Sequence, residues 1–144
     1  MGLLQQPIAG FSADKATDLS KREAQVRLSP AACRAFFKLM DAWRVRDEAA
    51  RHLLGGVSNG VYYQMKRGQK KTLDQDKLTR ISLLIGIFKA LNILYGRKLA
   101  DAWVSLSNSN PMFEGEPPLT YMVQGGVPAM VRVRQLLDAR RGSL

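Results

Sequence analysis

Cysteine and histidine are nearly absent: the 144 residues contain one of each, Cys33 and His52. A single cysteine excludes an internal disulfide framework, and one Cys with one His leaves no zinc cluster. Both fall within helical patterns, where a free cysteine behaves as a small buried hydrophobe. A Cys33–His52 nucleophilic pair would need tertiary proximity, and no catalytic, metal or cofactor site is expected. Acidic side chains are also scarce, 12 Asp and Glu against 22 Lys and Arg, a net charge of +10. No uninterrupted apolar run reaches the ~18 residues of a spanning helix. The opening segment lacks the basic-then-apolar order of a secretory signal. Gly2 is no myristoylation site, because Gln6 stands where Ser or Thr is required. A cytoplasmic protein without a membrane partner is expected. No internal repeat and no convincing strand pattern is present.

The excess positive charge is uneven. Residues 1–72 carry 13 Lys and Arg against 6 acids, and residues 73–144 carry 9 against 6. Lys66, Arg67, Lys70 and Lys71 crowd the end of the first half. By themselves such residues describe a solvated face; beside a helix-turn-helix they describe an edge for phosphates.

Hydrophobic residues amount to 46%, enough for a folded chain, and their periodicity is helical throughout. Residues 1–28 read as a flexible arm, with a capping-box spacing at Ser20 and Glu23 allowing one short turn. Ser29-Pro30 reads as a helix start, followed by Ala32, Phe36, Leu39, Met40 and Trp43 on one face. Asp47-Glu48 opens a second helix with small inner residues, Ala49 and Ala50, before Leu53 and Leu54. Gly55-Gly56 stops it. Ser58 caps a third helix to about Arg67, with Val61, Tyr62 and Met65 facing inward. This order predicts a helix-turn-helix over residues 29–72. Gly60 weakens the third helix by about 1 kcal/mol relative to alanine.

Thr72 and Gln75 have capping-box spacing and introduce the longest apolar stretch, Leu78 to Tyr95, closed by Gly96. Its face is broad enough for a core helix, a dimer seam, or both. Residues 97–104 form a short helix with Leu99, Ala102 and Trp103. A Pro/Gly/Asn-rich segment follows, with one or two turns over Leu119–Gln124. After Gly125-Gly126 comes a last helix carrying Val127, Met130, Val131, Val133, Leu136 and Leu137. Residues 73–144 thus form a second helical domain, in a chain that is all-α. The stretch GGVSNGV is not a P-loop: its glycines are suitably spaced, but Val61 occupies the lysine position and no strand precedes it. Asp74/Asp76 and Glu114/Glu116 have no visible basic or metal partner.

Base contacts are expected from Ser58, Asn59, Tyr63 and Gln64 at the exposed start of the recognition helix. Tyr62 is open between DNA contact and core. Lys66, Arg67, Lys70 and Lys71 are the expected phosphate contacts, each worth about one unit of salt slope.

The succession from Leu78 to Leu91, Ala102-Trp103, Asn108 to Gly115, Pro117-Pro118-Leu119, Gly125-Gly126 and Val133 to Asp138 resembles the MbcA/ParS/Xre antitoxin family. The upstream LLGGVS resembles its Xre-type helix-turn-helix. The resemblance spans about 30 to 142. It implies an antitoxin that neutralises a RES-domain, NAD-consuming toxin by covering its active site, dimerises through its C-terminal domain, and represses its own operon by binding promoter DNA. NAD chemistry would belong to the toxin. Toxin contacts are then expected in the Pro/Gly-rich segment at Met112, Phe113 and Glu114, which with Asn110 are open between contact and bracing the fold. They are also expected on the polar side of the last helix at Arg132, Gln135, Arg140 and Arg141, the arginines suiting a phosphate-binding cavity. The alternative is a dimeric helix-turn-helix regulator without a toxin; an enzyme using Cys33 or His52 is a third reading.

Overall fold

The computed structural model describes residues 17–142, and among them all regular secondary structure is helical. Four helices make up or enter the first half: α1 (Arg22–Trp43), α2 (Asp47–Leu53), α3 (Asn59–Lys66) and α4 (Gln75–Trp103). A 3₁₀ turn (Pro111–Phe113) and α5 (Pro118–Gly142) complete the second. The chain forms two compact units that divide at Ile85/Gly86, within α4.

In the first unit α1 begins seven residues before Ser29, so the expected start there is corrected. Residues 22–28, assigned to a flexible arm by sequence, are its first turns; residues 1–16 lie outside the described part. Burial drives the extension: Ala24 is buried, and the Gln25 amide donates to the Leu19 carbonyl at 2.9 Å. Ser29 is not a cap but a buried bridge. Its hydroxyl donates to the Gln25 carbonyl and accepts from the Leu73 N–H at 2.7 Å. Pro30 sits inside the helix and forfeits the bond to the Val26 carbonyl. Both residues are exposed, so water can take that carbonyl.

Arg44, in a left-handed conformation, ends α1. The chain then turns into α2, whose Asp47 and Glu48 stand at its positive end. Gly55 (φ 98°) and Gly56 (φ 85°) reverse the chain after α2, a geometry that side chains disfavour. Arg51 braces the reversal by donating from Nε to the Val57 carbonyl at 3.0 Å. Ser58 caps α3 as expected, accepting from the Val61 N–H at 3.2 Å. Asp74, rather than Thr72, caps α4: its carboxylate accepts from the Lys77 N–H at 2.9 Å, while Thr72 is exposed. The unit boundary lies beyond the expected 72/73 because Leu73 is pinned on Ser29 and Arg80 reaches back to the Leu53 carbonyl.

The α3 helix is held by one carboxylate on α2. Asp47 accepts from the Tyr62 hydroxyl at 2.7 Å, the Tyr63 hydroxyl at 3.1 Å and Lys66 Nζ at 2.8 Å. These charge-assisted bonds, led by that of Lys66, lower the Asp47 pKa to about 2. Phe36, Phe37, Tyr62 and Tyr63 form a row of edge-to-face rings, 5.2 to 5.5 Å between neighbouring centroids, from the core to the surface.

In the second unit, α4 continues past Gly86, bends at Gly96 (φ 74°, ψ 166°) and ends at Trp103. By length and composition α4 could cross a bilayer, but half of the relevant stretch is buried inside the fold, and Lys89 interrupts its apolar run. Trp103, Phe113 and Tyr121 stack edge to face, and the Leu119 N–H donates to the Val104 carbonyl at 2.8 Å. Gly126 bends α5, whose Met130, Val133 and Leu137 are buried. Leu99 is half exposed, as are Ile93 and Leu106. Gly86 leaves room for Arg134: a side-chain carbon there would collide with the guanidinium.

Two stability outcomes follow from the first unit. Ser29→Ala strands the buried Leu73 N–H and is expected to cost about 1–3 kcal/mol in denaturant unfolding; a loss below about 0.5 kcal/mol would show the bridge to be dispensable. Because the folded-state pKa of Asp47 is depressed, its contribution is full above pH ~4 and fades as pH falls toward its folded pKa of about 2. The side chain is 39% exposed, so the contribution is set at about 1 kcal/mol after solvent screening. Asp47→Asn should therefore flatten the acid limb of the stability–pH curve between pH ~4 and ~2; an unchanged limb would contradict the clasp.

Candidate nucleic-acid interface

The α2–turn–α3 unit presents one edge of α3 to solvent. Ser58 and Asn59 lie exposed at its start, with Gly60 next to them. One turn on, Tyr63 is 39% exposed and Gln64 half-buried. Amides at the N-terminal end of a recognition helix suit adenine edges, and an exposed aromatic ring edge suits a thymine methyl. Gly60 opens the first turn: a side-chain carbon there would meet nothing within 4 Å. A backbone without side chain at that place allows close approach of a partner.

Tyr62 is resolved by the fold. It is 1% exposed, its ring lies against Phe37, and its hydroxyl is bound to Asp47. Burial, then the bond to Asp47, pushes its hydroxyl pKa well above the usual phenol range. It is a core residue and leaves the set of DNA contacts. The physical reason is helical periodicity: Tyr62 and Met65, three apart, share the face that packs inward.

The basic cluster divides in two. Lys66 is paired with Asp47 and lies 6.0 Å from the centre of the Tyr62 ring. Its pKa is raised, chiefly by the bond to Asp47, with Tyr63 and Asp41 adding to the field. Arg67, Lys70 and Lys71 are exposed at and beyond the end of α3. Lys70 and Lys71, with Lys66, line a groove of about 720 Å³ between α1 and the segment after α3, together with Phe37, Met65, Arg34 and Lys38; Arg67 lies outside it. Cys33 lines that groove, half-buried, with its thiol directed at the Met65 carbonyl at 3.7 Å. Burial raises the thiol pKa, the opposite of what a nucleophile needs. His52 is exposed on α2. No group of three or more potential metal ligands occurs among the described residues.

The residues expected to meet a partner protein lie in the second unit. Glu114 is exposed in a left-handed conformation after the 3₁₀ turn, and Met112 is half-buried beneath the Asn110 cap. Phe113 is 2% exposed between Trp103 and Tyr121. It is core, so its assignment as a contact is corrected. On α5, Arg132 and Gln135 are exposed, Arg132 within 3.4 Å of the Tyr121 hydroxyl. Arg140 is engaged within the unit, donating to the Tyr95 hydroxyl at 2.7 Å. Arg141 is exposed and lies 3.8 Å from Asp138. Sequence reasoning missed Asp47, whose only signal was an acid at a helix start.

Comparison with known proteins follows this geometry. Residues 22–86 match the family described as an antitoxin Xre-like helix-turn-helix domain, from the start of α1 to the boundary between the two units. The chain is 38% identical over 114 residues to a protein of Sinorhizobium fredii named uncharacterized protein y4oB, covering 78% of this chain and 86% of the relative. No solved structure matches. The chain therefore belongs to one family with the Sinorhizobium fredii protein across most of both lengths, and its residues 22–86 form an antitoxin Xre-like helix-turn-helix domain, a domain of non-enzymatic regulators.

Proposed function

We propose that this protein is the antitoxin of a type II toxin–antitoxin pair, that it binds a RES-type, NAD-consuming toxin through its second unit, and that it represses its own operon by binding promoter DNA as a homodimer in the cytoplasm. The observation that carries the reading is the match of the helix-turn-helix to the antitoxin Xre-like family, joined to an exposed α3 edge bordered by unpaired cations. The RES partner and the blocking of its active site rest on the resemblance of residues 73 to 142 described above.

In this reading Ser58, Asn59, Tyr63 and Gln64 meet base edges. Arg67, Lys70 and Lys71 meet phosphates and supply affinity without sequence information. Met112, Glu114, Arg132, Gln135 and Arg141 form the toxin-facing set. Arginines there would offer planar, forked donors to a cavity shaped for a dinucleotide's phosphates. Half-exposed Ile93, Leu99 and Leu106 are the apolar side chains available to a dimer contact in the same unit.

Co-expression tests the pair. A neighbouring RES-type protein that arrests growth should be neutralised by this chain and co-purify with it, and Arg132→Glu with Gln135→Glu should weaken capture at least tenfold. Failure of rescue and of co-purification would reject the antitoxin reading. Mobility shifts on the operon's promoter should weaken steeply with salt. Lys71→Ala or Arg67→Ala should each lower the slope of log K against log salt by about 0.9. Absent or salt-insensitive binding would reject the repressor role.

A further inference from the structure

Lys66 belongs by sequence to the phosphate-binding cluster, but its ammonium group is already spent. Asp47 Oδ1 lies 2.8 Å from Nζ, and the same oxygen accepts from Tyr62. The other oxygen takes the Tyr63 hydroxyl at 3.1 Å. Three donors of α3 thus converge on one carboxylate of α2. Tyr62 is buried, so it fixes the carboxylate from within; Tyr63 and Lys66 close it from the exposed side.

A carboxylate in this place offers α3 what a DNA phosphate would offer: an anionic acceptor for a lysine and a phenol. We propose that Asp47 is a specificity-determining residue of the helix-turn-helix, an internal phosphate substitute that keeps Lys66 and the Tyr63 hydroxyl from DNA. The inference rests on the DNA-binding reading above. Its consequence is a division of labour along α3. Lys66 adds nothing to backbone affinity. Tyr63 presents only its ring edge, and the amides of Asn59 and Gln64 carry the hydrogen-bonding readout. Less of the binding is then sequence-independent than the four-cation cluster implies, and the ratio between specific and random sites rises.

The alternative is that DNA draws Lys66 away from Asp47 on binding. Two physical facts oppose it. Breaking the pair leaves a carboxylate facing the incoming phosphates, with Asp41 adding to the negative field around Lys66. It also removes a donor from a carboxylate whose charged form is stabilised first by that lysine.

The test is a salt titration of binding by the full chain to two duplexes of equal length, one carrying the promoter of its operon and one scrambled. Lys66→Ala removes no phosphate contact, so the slope of log K against log salt should not fall by the roughly 0.9 that Lys71→Ala removes, and the uncovered Asp47 carboxylate should weaken both duplexes by the same factor. Asp47→Asn keeps an acceptor for Tyr62 and frees Lys66. It should steepen the slope by about 0.9, which between 50 and 200 mM salt is a three- to fourfold extra loss of affinity. It should also narrow the promoter-to-scrambled ratio, and Asp47→Asn/Lys66→Ala should return the slope to that of the wild type. The Lys66→Ala measurement stands even where Asp47→Asn folds poorly. A wild-type slope that drops by about 0.9 on Lys66→Ala overturns the assignment of Asp47 and leaves DNA binding intact. Binding to neither duplex overturns the DNA reading and the assignment together.

Discussion

The placement of the recognition helix depends on one carboxylate. The α3 helix has eight residues, a glycine at its second position and two buried side chains, Tyr62 and Met65. A helix this short is marginal by itself. Its serine cap satisfies one free N–H, and its inward face rests on just two large side chains, Tyr62 and Met65. What holds it against α2 is Asp47, which gathers three donors spread over a full turn of α3 and pins both its middle and its end. The aromatic row from Phe36 to Tyr63 supplies the apolar half of the same joint. A half-exposed ion pair is usually worth little. Here the pair shares its carboxylate with a buried phenol, so part of the network is shielded from water, and breaking it would leave the Tyr62 hydroxyl without its acceptor.

The turn before α3 is built for the same end. Two successive glycines with positive φ reverse the chain within a few residues, and Arg51 ties the turn's carbonyl to α2. Gly55 also runs close to the start of α4, where a side-chain carbon would lie 3.2 Å from the Asp76 carboxylate. The second glycine is therefore part of a braced reversal. The Ser29 bridge from α1 to Leu73 adds a third tie, fixing the chain just where it leaves the basic segment.

Much of this was legible in the sequence, and the limits have physical causes. Ser58, Gly55-Gly56, Gly96 and the bend near Gly126 are local signals: a cap or a positive φ is decided by residues within one turn, so pattern reading finds them. Ser29-Pro30 was misread because the same dipeptide that starts helices was overridden by tertiary burial of Ala24 and Ser29. Thr72 gave way to Asp74 for a related reason, the more strongly accepting carboxylate winning the first free N–H groups of α4. Phe113, set in a Pro/Gly-rich segment, looked available until Trp103 and Tyr121 closed around it. Asp47 was invisible as a hub because its partners lie 15, 16 and 19 residues away. No local pattern encodes that meeting.

The charge of the protein also reads differently once pairing is known. The surplus in the first 72 residues suggested an undivided basic edge at residues 66 to 71. In the fold, Lys66 is paired with Asp47 of α2 and lines a groove that Lys70, Lys71, Arg34 and Lys38 also line, whereas Arg67 is exposed outside it. Exposed cations are thereby concentrated at the exit of α3, away from the turn that carries Asn59 and Gln64. Under the proposed DNA reading this separates two tasks: long-range attraction to the duplex would come from the basic flank, and discrimination from uncharged groups that act only on meeting a base edge.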